Sequence, residues 1–166
     1  MRLLIVRHAI AEEREGPLAS DAERRLSREG RQRFRRGARA LARLVPELEL
    51  VLTSPYRRAL ETAELLAAAH AAQPAVRRLA ELTPGYSASE LASALRAAGE
   101  HAAIALVGHE PLLSRLEGLL LSGDDRSLAE LRKGGAALLE SPAAPEPGQA
   151  ILLWHLTASQ LRELAA

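Results

Sequence analysis

Three stretches of this chain share one pattern: an apolar run of strand length that ends abruptly on polar residues. "LLIV" runs into Arg7-His8, "LELVLT" into Ser54-Pro55-Tyr56-Arg57-Arg58, and "AIALV" into Gly108-His109. Apolar runs with little or no polar alternation mark strands covered on both faces. The segments between them carry apolar residues three and four apart, the period of an amphipathic helix. One opens at Ser27, a good N-cap, has Gly30, Phe34, Ala38 and Leu41 on its stripe, and stops at Pro46. A second follows Pro55, with Ala59, Ala63, Leu66 and His70 on one side. A third is capped near Ser87 or Ser89, and a fourth has Pro111 in its first turn. "PAVRRLAEL" reads as a short strand. "KGGAALLES" and "GQAILLWHLT" read as a hairpin around a turn from Pro142 to Gly148, and "ASQLREL" as a last helical turn or two. The segment from Arg14 to Arg25, with Gly16, Pro17, Ser20 and Asp21, reads as a loop.

Strands alternating with helices imply an α/β fold: a single three-layer α/β/α domain over residues 1–166, with a mostly parallel central sheet and helices on both faces. Ligands of such sheets bind beyond the carboxyl ends of the strands. If the three punctuated strands are neighbours, Arg7, His8, one of Arg57 and Arg58, and His109 meet in one pocket. Two guanidiniums and two imidazoles suit a tetrahedral dianion, because the arginine fork matches phosphate oxygens and stays charged. A neutral imidazole can attack phosphorus itself, and the amides opening the helix after Pro55 would join the anion site.

Charge and composition narrow the alternatives. A net charge of +1 exerts no overall pull toward nucleic acid or membrane, and four aromatic residues make no stacking platform. The arginine-rich stretch from Ser27 to Val45 is a solvated helix face or a docking surface for an acidic partner. No cysteine is present and no histidine pair has helical spacing, so neither a metal nor a cofactor is expected. The first apolar run is too short for a leader or a membrane span, which points to a cytoplasmic protein without membrane attachment. A monomer is the default.

The stretches "LLIVRHA", "LTSPYRRALETA" and "ALVGHEP" resemble the three signatures of the histidine phosphatase superfamily, which includes the phosphoglycerate mutases. The RHG signature corresponds to Arg7-His8-Ala9, SPxxRAxQT to the nine residues from Ser54 to Thr62, and VGH to Val107-Gly108-His109. The resemblance implies a phosphoglycerate mutase-like fold, a nucleophilic His8, and a phosphoryl group bound by Arg7, Arg58 and His109. "RRLSREG", "LTPGYS" and the C-terminal "LRKGGAALLE…LLWHLTASQLR" are similar to the small SixA-type phosphohistidine phosphatases. The implied substrate is a phosphorylated protein carrying phosphohistidine, or alternatively a small phosphate ester; a non-catalytic phosphate-binding adaptor is a third reading. Ala9 stands for the usual glycine, so no positive φ is expected there. Glu61 stands for the usual glutamine.

Superfamily members that cleave esters use a carboxylic acid to protonate the leaving group. Glu81, in "RLAELTPG", is the candidate, ahead of Glu12 or Glu13; a phosphoramidate needs less help from such an acid. Arg57 is expected on the rim, and Tyr56 either at the pocket mouth or packed. Structural places are expected for His70, His101 and His155, and Lys133 is read as the lead-in to a strand.

Overall fold

The computed structural model describes residues 1–14, 16, 20–142 and 144–165. Pro17 of the expected loop and Ala143 of the expected turn lie outside the described residues. Six strands form one sheet: β1 (Arg2–Arg7), β2 (Leu48–Thr53), β3 (Ala75–Arg78), β4 (Ala103–Gly108), β5 (Ala136–Glu140) and β6 (Ile151–Leu156). Their order is β3-β2-β4-β1-β5-β6, so the three punctuated strands are consecutive neighbours. Neighbouring strands pair in parallel from β3 across to β1. The pairing turns antiparallel at β5, and β5 with β6 forms the expected hairpin.

Strand side chains alternate between faces, and both faces of the central strands β1 and β4 are dry. Leu4 and Val6 of β1, with Ala105 and Val107 of β4, face α1 (Arg28–Leu44), α2 (Arg57–Ala69) and α5 (Ala158–Leu164). Leu3 and Ile5, with Ile104 and Leu106, face α3 (Ala88–Arg96) and α4 (Leu112–Ser122). Burying a leucine or valine is worth about 1.5–3 kcal/mol, and this double covering is why the strand runs lack polar alternation.

Local chemistry sets the helix ends. Ser27 Oγ accepts the Gly30 amide at 2.9 Å to cap α1. Of the two candidate caps for α3, Ser87 is the one used; it forms a reciprocal box with Glu90. Gly123 closes α4 with φ of 82°, a conformation that costs glycine nothing. Gly30 has a second role: an added Cβ would overlap the Ile10 carbonyl oxygen, so its missing side chain lets the segment after β1 run against α1. His70 is a helix-end residue as expected, buried and bonded to the carbonyls of Leu66 and Val45.

Candidate active site

The parallel register brings the strand ends level. Arg7 of β1 pairs with Gly108 of β4, and Val107 with Thr53 of β2. Ladder bonds continue one residue further, from the His8 amide to Gly108 O at 3.0 Å and from the Ser54 amide to Val107 O at 2.9 Å. His8, Ser54 and His109 therefore leave the sheet together. The rings of His8 and His109 lie 5.1 Å apart, both buried.

Arg58 reaches this pair from the first turn of α2, which Ala59 and Ala63 hold against the sheet. Its Nε donates to His8 Nε2 at 3.2 Å. An arginine only donates, so Nε2 presents its lone pair, and the imidazole proton sits on Nδ1, where it bonds Ala9 O at 2.7 Å. The tautomer of His8 follows from these two bonds. Arg57 instead lies half-exposed and pairs with Glu61 at 3.2 Å, on the rim. His109 Nε2 meets Ser54 Oγ at 2.9 Å. The Tyr56 ring stands edge-on to His109, and the Arg58 guanidinium lies 5.0 Å from its centroid, so Tyr56 both packs and borders the site.

The electrostatics favour neutral rings. Burial, and after it the Arg58 and Arg7 cations, hold His8 at about 3; burial and then the neighbouring His8 and Arg58 hold His109 at about 3. Arg7 donates from Nη1 to Leu131 O at 2.8 Å, while its Nε is buried without a partner. His109 Nδ1 is likewise buried and unpartnered. A buried polar nitrogen left without a partner costs about 1–3 kcal/mol. Among the described residues, no group of three His, Asp or Glu side chains could hold a metal ion.

Four contributions were not legible in the sequence. Asp21, in the segment read as a loop, binds Arg58 twice: its carbonyl accepts from Nη1 at 2.6 Å and Oδ2 from Nη2 at 3.0 Å. Thr62 Oγ1 accepts the Ala9 amide and donates to Arg58 O, tying α2 to the strand-one corner. The Gly134 amide is shared by the carbonyls of Arg7 and His8, each at 3.1 Å. Lys133 therefore stands at the site as well as leading into β5. Glu61 accepts from the Leu26 amide, Arg31 and Arg57.

Glu81 is not joined to the cluster. It sits in the 3-10 turn Ala80–Leu82, where Leu82 plugs into the core against Gly108. The Glu81 side chain lines hollows beside α3 with Tyr86, Ser89 and Ala94, and no hydrogen bond or ion pair links it to His8, Arg58 or His109 among the described residues. Glu12 is exposed and pairs with Arg25. His101 bonds Glu49 at 3.1 Å, and His155, on its strand face, meets the buried Glu117 at 3.3 Å. Ala9 has no positive φ.

Residues 3–87 match the histidine phosphatase superfamily (branch 1). The chain belongs to the histidine phosphatase superfamily. It is 35% identical over 146 residues to an uncharacterised protein of Picosynechococcus sp. (strain ATCC 27264 / PCC 7002 / PR-6), covering 87% of each chain. The solved protein histidine phosphatase SixA, complexed with tungstate, superimposes with a TM-score of 0.83 at 25% identity, over 97% of this chain and 99% of that one. A mycobacterial glucosyl-3-phosphoglycerate phosphatase in complex with inorganic phosphate shares the fold, with a TM-score of 0.67 at 19% identity over 95% and 98% of the two chains. The chain is thus a phosphatase of this superfamily with the phosphoglycerate mutase-like fold. None of its described helices is long and apolar enough to cross a membrane.

Proposed function

We propose that this histidine phosphatase hydrolyses phosphohistidine in proteins through a phosphorylated His8. The observation that carries the reading is the pair of bonds that fixes the His8 tautomer: Nδ1 keeps its proton toward Ala9 O, and Nε2, to which Arg58 Nε donates, is the nitrogen whose lone pair attacks once that bond opens. Nε2 attacks phosphorus in line and forms a P–N bond. The substrate's own P–N bond breaks, and its electron pair stays on the departing imidazole nitrogen, which takes a proton from solvent water. Arg7, Arg58 and His109 offer donors to the equatorial oxygens, where charge must be stabilised. Water then attacks the phosphorylated His8, releasing inorganic phosphate and restoring the neutral ring.

A phosphoramidate substrate is favoured over an ester by the carboxyl groups. Burial raises Asp21, but the Arg58 hydrogen bond and charge outweigh it and hold the carboxyl below the usual range. Asp21 is ionised and has no proton to give to an alkoxide. Glu81 lines a hollow beside α3, and no hydrogen bond or ion pair among the described residues joins it to the imidazole pair. The likeness to SixA points the same way.

The test is a substrate panel in the presence of a chelator, comparing a phosphohistidine peptide with sugar phosphates, followed by an acid-free quench with labelled substrate. Label on His8, with no turnover in His8→Ala, is expected. Faster turnover of the esters, slowed by Glu81→Gln while the phosphopeptide rate stands, would assign the ester reaction and Glu81 as its acid.

A further inference from the structure

The arginine-rich stretch forms α1, and its charge is concentrated on one side. Seven arginines and a single carboxylate, Glu29, lie on this helix, although the whole chain carries only +1. At roughly 3.6 residues per turn, Arg28, Arg35, Arg36, Arg39 and Arg43 fall within about 100° of arc. All five are exposed, opposite the buried stripe of Gly30, Phe34, Gly37, Ala38 and Leu41. The row from Arg28 to Arg43 is about 22 Å long. Arg31 pairs with Glu61 and Arg33 with Glu29, but Arg28, Arg35, Arg36 and Arg39 make no ion pair among the described residues. Arg43 donates to the Leu164 carbonyl.

The fold gains nothing from this row. Arg31, Arg35, Arg39 and Arg43 follow one another at a spacing of four, where like charges destabilise a helix. Arg28 opens the helix, at the end whose dipole disfavours a cation. A solvated face needs neither repulsion, because mixed signs keep a helix soluble and support it. Exposed residues that work against their own helix serve something outside the chain.

The position of the row selects what it meets. Its first end adjoins the catalytic corner: the amide of Ser27, the α1 cap, bonds Ile10 O at 3.0 Å, two residues after His8. A ligand that only fills a phosphate pocket cannot span a row of that length, whereas a protein surface can. Seating on a membrane would need apolar side chains beside the cations, and the apolar face of α1 is buried against the sheet. A nucleic acid strand would gain from aromatic rings, and Phe34, the one aromatic of α1, is buried.

We infer that the exposed face of α1 docks a row of aspartate and glutamate side chains on the phosphorylated protein, while the phosphohistidine of that protein meets His8. The inference rests on the phosphohistidine reading and adds how the protein substrate is held. Attraction of this kind steers the encounter and weakens with salt.

The experiment compares free phosphohistidine with phosphohistidine peptides whose tails carry glutamate, glutamine or lysine at every fourth position. The wild-type KM should be about tenfold lower for the glutamate tail than for the glutamine tail, a difference that fades at high salt. The variant Arg35→Glu/Arg39→Glu should lose that preference, favour the lysine tail instead, and hydrolyse free phosphohistidine as the wild type does. Equal KM values in the wild type, or a glutamate preference that survives in the variant, would overturn the docking face. Tighter binding of the wild type to phosphatidylglycerol vesicles or duplex DNA than to the glutamate peptide would likewise overturn a protein ligand. If nothing is hydrolysed, the functional reading fails by itself, and fluorescence anisotropy of the labelled, unphosphorylated glutamate peptide decides this one. Binding to the wild type that is absent in the variant supports it; no binding, or equal binding to both, refutes it.

Discussion

Arg58 holds His8 by a single bond, Nε to Nε2 at 3.2 Å, and is itself held at both outer nitrogens by Asp21. One guanidinium thus connects the imidazole of strand one to a turn that strand and helix propensities do not reveal. The arrangement makes the direction of the His8 lone pair depend on a residue that never touches that ring by a hydrogen bond.

Replacing Asp21 with asparagine removes the charge from this support and keeps its carbonyl contact. A hydrogen bond to a charged group is worth about 1.5–3 kcal/mol. Asp21→Asn should therefore lower kcat/KM about 10- to 100-fold, with little change in unfolding midpoint, since Asp21 is half-exposed. Activity equal to wild type would remove Asp21 from the working site.

Acid should destabilise the fold through the two buried imidazoles. Both are held at about 3 when folded, against 6.5 as the ordinary value. Between those limits the unfolded chain binds more protons, so stability rises with pH through this window and levels off above 6.5. From pH 7 to 5 each ring should contribute a loss of about 2 kcal/mol. Urea unfolding at the two pH values measures this, and His109→Gln should reduce the difference by about half. A variant as pH-sensitive as wild type would show that the rings are not held neutral.

Thr62 bridges the two halves of the site with one hydroxyl. Thr62→Val keeps the shape and leaves the buried Ala9 amide without its acceptor. The expected cost is about 1–3 kcal/mol of stability. A fall in kcat at unchanged KM should accompany it if the Ala9 corner also aligns His8; the two constants are separated by steady-state kinetics.

Glu61 staples α2 to the Leu26 amide and to Arg31 of α1. Glu61→Ala should lose about 2–3 kcal/mol in denaturant unfolding, whereas Glu61→Gln, which retains an acceptor for Leu26, should lose less than half of that. Equal losses would mean that charge alone matters there.

Residue types and local periodicity were enough to place much of this molecule. The apolar runs of β1, β2 and β4, the stripe on α1 and the Ser27 cap depend on neighbours within one or two turns, and they stand where the sequence puts them. The strand-end residues were legible for the same reason: a polar residue straight after a buried strand is conspicuous in a linear reading. The hairpin of β5 and β6 was legible through its turn.

Other parts were decided only by the folded chain. Sheet order puts β4 between β1 and β2, and so makes neighbours of His8 and His109, a hundred residues apart in the chain. Asp21 reaches Arg58, the Gly134 amide reaches the His8 carbonyl, and Arg162 of α5 comes beside Lys133 through packing that no spacing encodes. Short-range preferences act through a residue's own backbone and can be read from its neighbours. Contacts between distant segments exist only after the two layers of helices have closed on the sheet, and it is these contacts that aim the His8 ring and give its surroundings their charge.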